Sequence, residues 1–165
     1  MHEPTERPGN GRVLGDTESQ TRALEDNARA VRYHEWLVSL ALPYLGDHPI
    51  ELGSGLGNYV QSWLDAGVPR ITATEADHSR LMRLRERFSG DQRVDVLEVD
   101  LDEPPVGDWT SFVSFNVLEH LVDDTAALAA AGRMVRPGGA VVTFAPAFPF
   151  ALGKFDREIG HVRRY

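Results

Sequence analysis

Apolar residues recur at helical spacing from the first third of the chain. Leu24, Ala28 and Val31, then Tyr33, Trp36, Leu37 and Leu40, fall on repeating faces. Thr17 and Gln20 stand at capping-box spacing, so a helix is expected to start there. It reads as one long or broken amphipathic helix, ended near Pro43 and Gly46. Beyond that point the pattern shortens into alternating units. Pro49-Ile50-Glu51-Leu52 reads as a strand, about Gly57 to Ala66 as a helix, and Arg70 to Glu75 as a second strand. A helix from about His78 to Phe88 carries Leu81, Leu84 and Phe88 on one face. Val94 to Val99 and Ser111 to Asn116 are the third and fourth strands. A helix from about Val122 to Gly132 has Asp123 and Asp124 at its positive end and Arg133 and Arg136 past its negative end. Pro137-Gly138-Gly139 is expected to stop it before a fifth strand, Ala140 to Ala145. Strands alternating with helices predict an α/β chain whose parallel sheet is joined by right-handed crossovers.

Composition narrows the function. The 165 residues suit one core, with residues 1–16 expected as a flexible lead-in to a domain over 17–165. The net charge of −8 opposes a role on nucleic acid, where many phosphates must be neutralised. It gives no help at an anionic membrane surface either. With no cysteine, disulfides, thiolate metal sites and cysteine nucleophiles are excluded. Residues 1–10 are polar and the apolar runs are too short to span a bilayer, so a cytoplasmic protein with small-molecule or protein partners is expected.

The chemistry concentrates at Glu51-Leu52-Gly53-Ser54-Gly55-Leu56-Gly57-Asn58, between the first strand and its helix. Open α/β sheets bind ligands at the carboxyl ends of their strands. Glycines there let the backbone turn sharply and approach a ligand. A nicotinamide fingerprint spaces its glycines as Gly-x-Gly-x-x-Gly, and here the third comes one residue early. Glu51 sits poorly against a pyrophosphate but suits a positively charged amino group, which S-adenosylmethionine carries. Glu75, ending the second strand, reads as an acceptor for ribose hydroxyls or as an exposed strand-end acid. Asp100, after the third strand, reads as an acceptor for the adenine amine, with the Leu101 amide on a ring nitrogen, or as a turn aspartate.

Taken with Phe115-Asn116-Val117-Leu118-Glu119-His120 and Val135-Arg136-Pro137-Gly138-Gly139, these motifs resemble a class I S-adenosylmethionine-dependent methyltransferase of the type 11 group, from about Leu45 to Ala147. The resemblance implies a Rossmann-like doubly wound sheet of five mainly parallel strands in the order 3-2-1-4-5, under an N-terminal helical cap. It implies that Gly53, Ser54, Gly55 and Gly57 line the methionine part of the cofactor and that Glu51 supports its amino group. Glu75, with Ala76 beside it, would bind ribose, and Asp100 with Leu101 would hold adenine. Asn116 and Val117 would lie at the methionine end. Tyr33 and Trp36 would cover the cofactor, or pack in the core. Family members usually add two more strands and a helix, so the fifth strand is expected as an open edge for a partner chain or second copy.

The expected reaction is direct displacement of the methyl group onto an oxygen or nitrogen of a small-molecule acceptor. His120 is the candidate general base, or else a histidine packing at the strand–helix turn. Some methyltransferases place Glu-x-x-Glu-His at this point and bind a divalent ion. Asn116 replaces the first acid here, so no metal is expected. The Asp-Pro-Pro-Tyr type of element used on the exocyclic amines of bases is also missing after the fourth strand. Gly160-His161-Val162-Arg163-Arg164-Tyr165 resembles an element of the acceptor pocket in related enzymes. Its arginines would attract an anionic acceptor or pair with Asp156 or Glu158. Two other functions stand beside this one: a catalytically incomplete cofactor-binding or scaffold subunit, and a nicotinamide-dependent oxidoreductase.

Overall fold

The computed structural model describes residues 14–165; of the expected lead-in, residues 1–13 lie outside the described residues. The expected first helix is two helices, α1 (Thr17–Arg29) and α2 (Val31–Leu45), parted at Ala30, whose φ of −82° and ψ of 63° leave the helical region. Alanine is the best helix former, so the break is imposed by packing and not by local preference. α2 buries Leu37, Ala41 and Leu45 in the core. Pro43 lies inside α2 near its end, and Gly46, at φ 71°, terminates the helix.

Five strands follow: β1 (Pro49–Leu52), β2 (Ile71–Thr74), β3 (Val94–Leu97), β4 (Trp109–Phe115) and β5 (Val135–Phe144). They form one sheet in the order β3-β2-β1-β4-β5, and every pairing is parallel. Helices α3 (Asn58–Asp65), α4 (His78–Arg87) and α5 (Asp124–Met134) make the crossovers. A short α6 (Lys154–Glu158) follows β5.

Two apolar layers clasp the sheet. Leu37, Ala41, Val60, Trp63, Leu84 and Phe88 pack on one face against Ile71, Ala73, Val113 and Phe115. On the other, Ala127, Ala130, Ala131 and Met134 of α5 pack against Ile50, Leu52 and Phe112. Alternation along β1 therefore sends Glu51 to the face opposite Ile50 and Leu52. All of β1, β2 and β4 is buried, as expected for central parallel strands.

The sequence placed the start of the last strand too late. α5 ends at Met134, and Pro137-Gly138-Gly139 lies inside β5 instead of stopping the helix. The register explains how. Trp109 pairs with Val135 but Ser111 already pairs with Ala140, so the Pro-Gly-Gly segment is a detour in the ladder. β5 pairs only with β4 among the described residues. No helix of the described residues is long and apolar enough to cross a membrane.

Gly57, at φ 78°, opens α3, and a Cβ there would stand 2.6 Å from Phe88 Cε2 and 2.8 Å from Leu84 Cδ1. Gly67, at φ 98°, has nothing within 4 Å of the same position. Gly57→Ala is expected to cost about 2–4 kcal/mol in urea unfolding, as left-handed strain plus overpacking, while Gly67→Ala costs only the strain of about 1–2 kcal/mol. Equal losses at the two sites would show that the α3–α4 contact does not set the requirement.

Candidate functional site

The loop between β1 and α3 is held by a carboxylate from the next strand. Glu75, immediately after β2, is only 5% exposed. Its Oε2 accepts the Gly55 amide at 3.1 Å; its Oε1 accepts the Asp77 amide at 2.8 Å and Arg80 Nη2 at 3.1 Å. Ser54 adds a second tie: its amide donates to the Thr74 carbonyl and its Oγ accepts the Thr74 amide at 3.1 Å. The glycines serve this packing first. Gly53, at φ 70°, leaves room for Val117, whose Cγ2 would lie 2.6 Å from a Cβ, and Gly55 leaves room for Leu24 of α1.

A cavity of about 600 Å³ opens at the carboxyl ends of β1, β2 and β4, within the range of small-molecule sites. Among the residues picked from the sequence, Gly53, Ser54, Gly55, Glu75, Ala76 and Leu101 line its loop side. Tyr33, Asn116, Val117 and His120 line the rest. Asn116 sits at φ 55°, a conformation asparagine tolerates, with its amide bonded to the Phe144 carbonyl.

Three selected residues do not line the cavity. Gly57 packs under α4, and Glu51 is buried beneath the loop. Asp100 is exposed, and its Oδ1 accepts the Asp102 amide at 2.9 Å, as a turn aspartate does. Trp36 is half-exposed on the outer face of α2, edge-on to Phe144 at 6.1 Å, and neither covers the cavity nor joins the core.

The cavity also has walls that sequence reasoning missed. α1 contributes Gln20 and Leu24, and Arg80 reaches in from α4. Gln20 Nε2 donates to the carbonyls of Leu14 and of Ile159, the latter at 2.8 Å, and the Asp16 amide donates to the Glu158 carbonyl at 3.1 Å. The N-terminal helix and the segment after α6 are thereby clasped together above the cavity. On the far side, His34 stacks on Tyr59 at 4.4 Å.

Electrostatics divide the site into two acid centres. Glu51 Oε2 has no hydrogen-bond partner among the described residues, and burial pushes this carboxyl up to about 7, the Ser54 hydrogen bond only partly opposing it. Glu119, in a short turn of 3-10 helix (Leu118–His120), is fully buried with both oxygens unpartnered among the described residues; burial again raises it, to about 7. Burial and the neighbouring His161 and Arg80 push His120 down to about 4, although the Gly160 carbonyl opposes this, so His120 is neutral and a weak base. The two arginines of the final segment are paired. Arg164 meets Asp156 at 2.7 Å, and Arg163 meets Asp124 at 2.6 Å, a partner the sequence did not suggest. Burial opposes ionisation of Asp156, but the Gly153 amide, Arg164 and His161 outweigh it and hold the carboxyl at about 2.

The sequence from residue 50 to 143 matches the model of a methyltransferase domain, over half of the chain. The chain belongs to this family. It is therefore a class I S-adenosylmethionine-dependent methyltransferase domain by membership, which favours the sulfonium cofactor over a nicotinamide. Solved structures agree on the fold. An S-adenosylmethionine-dependent methyltransferase from Mesorhizobium loti superposes with a TM-score of 0.58 at 20% identity, over 68% of this chain and 53% of that one. The [4+2]-cyclase SpnF gives 0.64 at 18% identity, over 78% and 51%. A complex between the Haloferax volcanii Trm112 methyltransferase activator and a methyltransferase gives 0.60 at 20% identity, over 73% and 53%. At these identities the likeness is one of fold. The methyltransferase domain described here spans about half the length of these solved structures. No curated protein matches it significantly.

The raised carboxyl of Glu51 has a sign that stability measurements will read. Its folded value of about 7 exceeds the ordinary 4.5, so the folded state holds the proton more tightly between those values. Stability is then lost as pH rises through that window, by roughly 3 kcal/mol at most for this group. Glu51→Gln, which fixes the neutral form, is expected to raise the melting temperature at pH 8 and to leave it nearly unchanged at pH 5. Equal shifts at both pH values would refute burial as the cause.

Proposed function

We propose that the cavity binds S-adenosylmethionine and that the chain promotes direct displacement of its methyl group onto an oxygen or nitrogen of a small-molecule acceptor. The observation that carries this reading is the buried Glu51 Oε2, without a hydrogen-bond partner among the described residues, beneath a glycine turn at the strand ends. A carboxylate buried without a donor is costly, and an ammonium group at the Gly53–Gly55 turn would give it a partner. The bound cofactor would supply an already activated methyl group on a sulfonium.

The chain's own work is then alignment and exclusion of water, which together contribute several kcal/mol of barrier lowering. Glu51 orients the amino end. A carboxylate has about four acceptor sites, and Glu75 already uses three of them on Gly55, Asp77 and Arg80. One site is left for a ribose hydroxyl, and a second would require Arg80 to yield. Leu101, buried in the wall, faces the base end, while Asn116 and Val117 border the methionine end. Tyr33 covers the opening near Phe144, 6.4 Å away ring to ring. The acceptor would lie against His120, Phe155, Ile159, His161 and Arg164, all of which border the cavity. His120, neutral and weakly basic, serves there as a polar contact in preference to a general base.

Among the described residues β5 pairs only with β4, and we extend the proposal to its other edge, where a further strand would add to the sheet. Light scattering that reads only monomer would count against self-association.

Calorimetric titration with S-adenosylhomocysteine tests the cofactor reading. We expect micromolar binding at pH 8, weakened about tenfold or more by Glu51→Ala. Asp100→Ala decides that residue's role: a loss of about tenfold would mark an adenine contact, and a change within about twofold would mark a turn cap. Absence of binding by the folded protein would overturn the proposal.

A further inference from the structure

His161 lies in the chain's final segment, far from Glu119 and His120 in sequence, yet the three side chains converge. Their ligand atoms all fall within 4.8 Å of one another, and all three residues border the cavity. The arrangement is specific in its hydrogen bonding. His161 Nδ1 lies 3.0 Å from Asp156 Oδ1. Asp156, held ionised by Arg164 at 2.7 Å and the Gly153 amide at 2.7 Å, can only accept, so Nδ1 carries the proton. The lone pair of His161 is then on Nε2, and Nε2 faces Glu119 Oε1 at 3.7 Å. Two acceptors face each other across a gap too long for a hydrogen bond. It is close to the separation of two ligands that share one ion at about 2.0–2.2 Å each.

The remaining ligand is oriented in the same way. A hydrogen bond to the Gly160 carbonyl holds the His120 ring, which stands edge-on to His161 at 4.6 Å. Each histidine therefore has one nitrogen tied to an outer acceptor, the pattern of metal-bound imidazoles. Glu119 completes it, fully buried, with neither oxygen partnered among the described residues.

We propose that Glu119, His120 and His161 bind one divalent transition-metal ion of the zinc class, with Asp156 and the Gly160 carbonyl as the groups that orient the histidines. Two imidazole nitrogens and one carboxylate suit zinc, cobalt or ferrous iron and not magnesium or calcium, which prefer all-oxygen shells. The open coordination positions face the cavity, where water or an oxygen or nitrogen atom of a small molecule completes the shell. This revises the expectation drawn from Asn116: the acid missing from the fourth strand is replaced by a histidine from the far end of the chain. The inference is read from these residues alone and does not rest on methyl transfer.

The test uses the full chain, untagged and stripped with a chelator. Titration with Co²⁺ is expected to give one equivalent bound, with visible d–d absorption of low coordination number. Zn²⁺ should displace the cobalt, and a large excess of Mg²⁺ should not. Glu119→Gln and His161→Ala should abolish stoichiometric binding, and Asp156→Asn should weaken it by about 10–100-fold. Circular dichroism checks that each variant is folded. A folded wild-type chain that takes up no cobalt would overturn the site, as would uptake unchanged by Glu119→Gln and His161→Ala. In the first case the three side chains are a packing contact and not an ion site. S-adenosylhomocysteine titration of the metal-free protein reports the cofactor reading separately, so either can fail alone.

Discussion

The Glu75 carboxylate is the constraint on which the cavity depends. It comes from β2, yet it fixes the Gly55 amide of the loop after β1, the Asp77 amide at the start of α4, and the Arg80 guanidinium of α4. Two separate pieces of chain, the loop after β1 and the first turn of α4, are set by one buried carboxylate. Its buried ion pair with Arg80 is weak evidence for stability, because desolvation offsets the attraction, but removing one partner leaves an uncompensated buried charge. The wall of the site is therefore rigid for a local electrostatic reason. A ligand entering it meets preformed geometry instead of a loop that must be ordered.

Two other acids hold the opposite position. Glu51 and Glu119 are buried within the core, and neither has a full set of hydrogen-bond partners among the described residues. Sequences specify folds by agreement between levels, and the places where local rules break are where function is found. Here one break borders the cavity, beside the histidine pair, and the other lies behind its wall, beneath the glycine turn.

Much of this was legible in the sequence. Ile50, Ile71, Val113 and their neighbours gave strands whose alternation with helices requires a parallel sheet, and the strand order followed from the resemblance. The glycine turn and Glu75 were visible because short-range spacing encodes them. Arg80 was not, because on a helix whose apolar face is Leu81, Leu84 and Phe88 an arginine reads as a surface residue; only the position of Glu75 draws it inward. The break at Ala30 was hidden for a similar reason, since no local preference produces it. The Glu119–His161 approach depends on where the chain returns after β5, and no spacing rule spans that distance. The early start of β5 was masked by Pro137-Gly138-Gly139, whose ordinary meaning is a stop.

The clasp above the cavity has its own consequence. Gln20 bonds at once to Leu14 and Ile159, so the first helix and the last segment give up their conformational freedom together. The entropy lost in ordering one is not lost again in ordering the other. A molecule that holds α1 in place would by the same bonds hold the wall formed by residues 155–164. Gln20 and the Asp16 amide together tie the two halves of the cavity to each other, with no change of shape required.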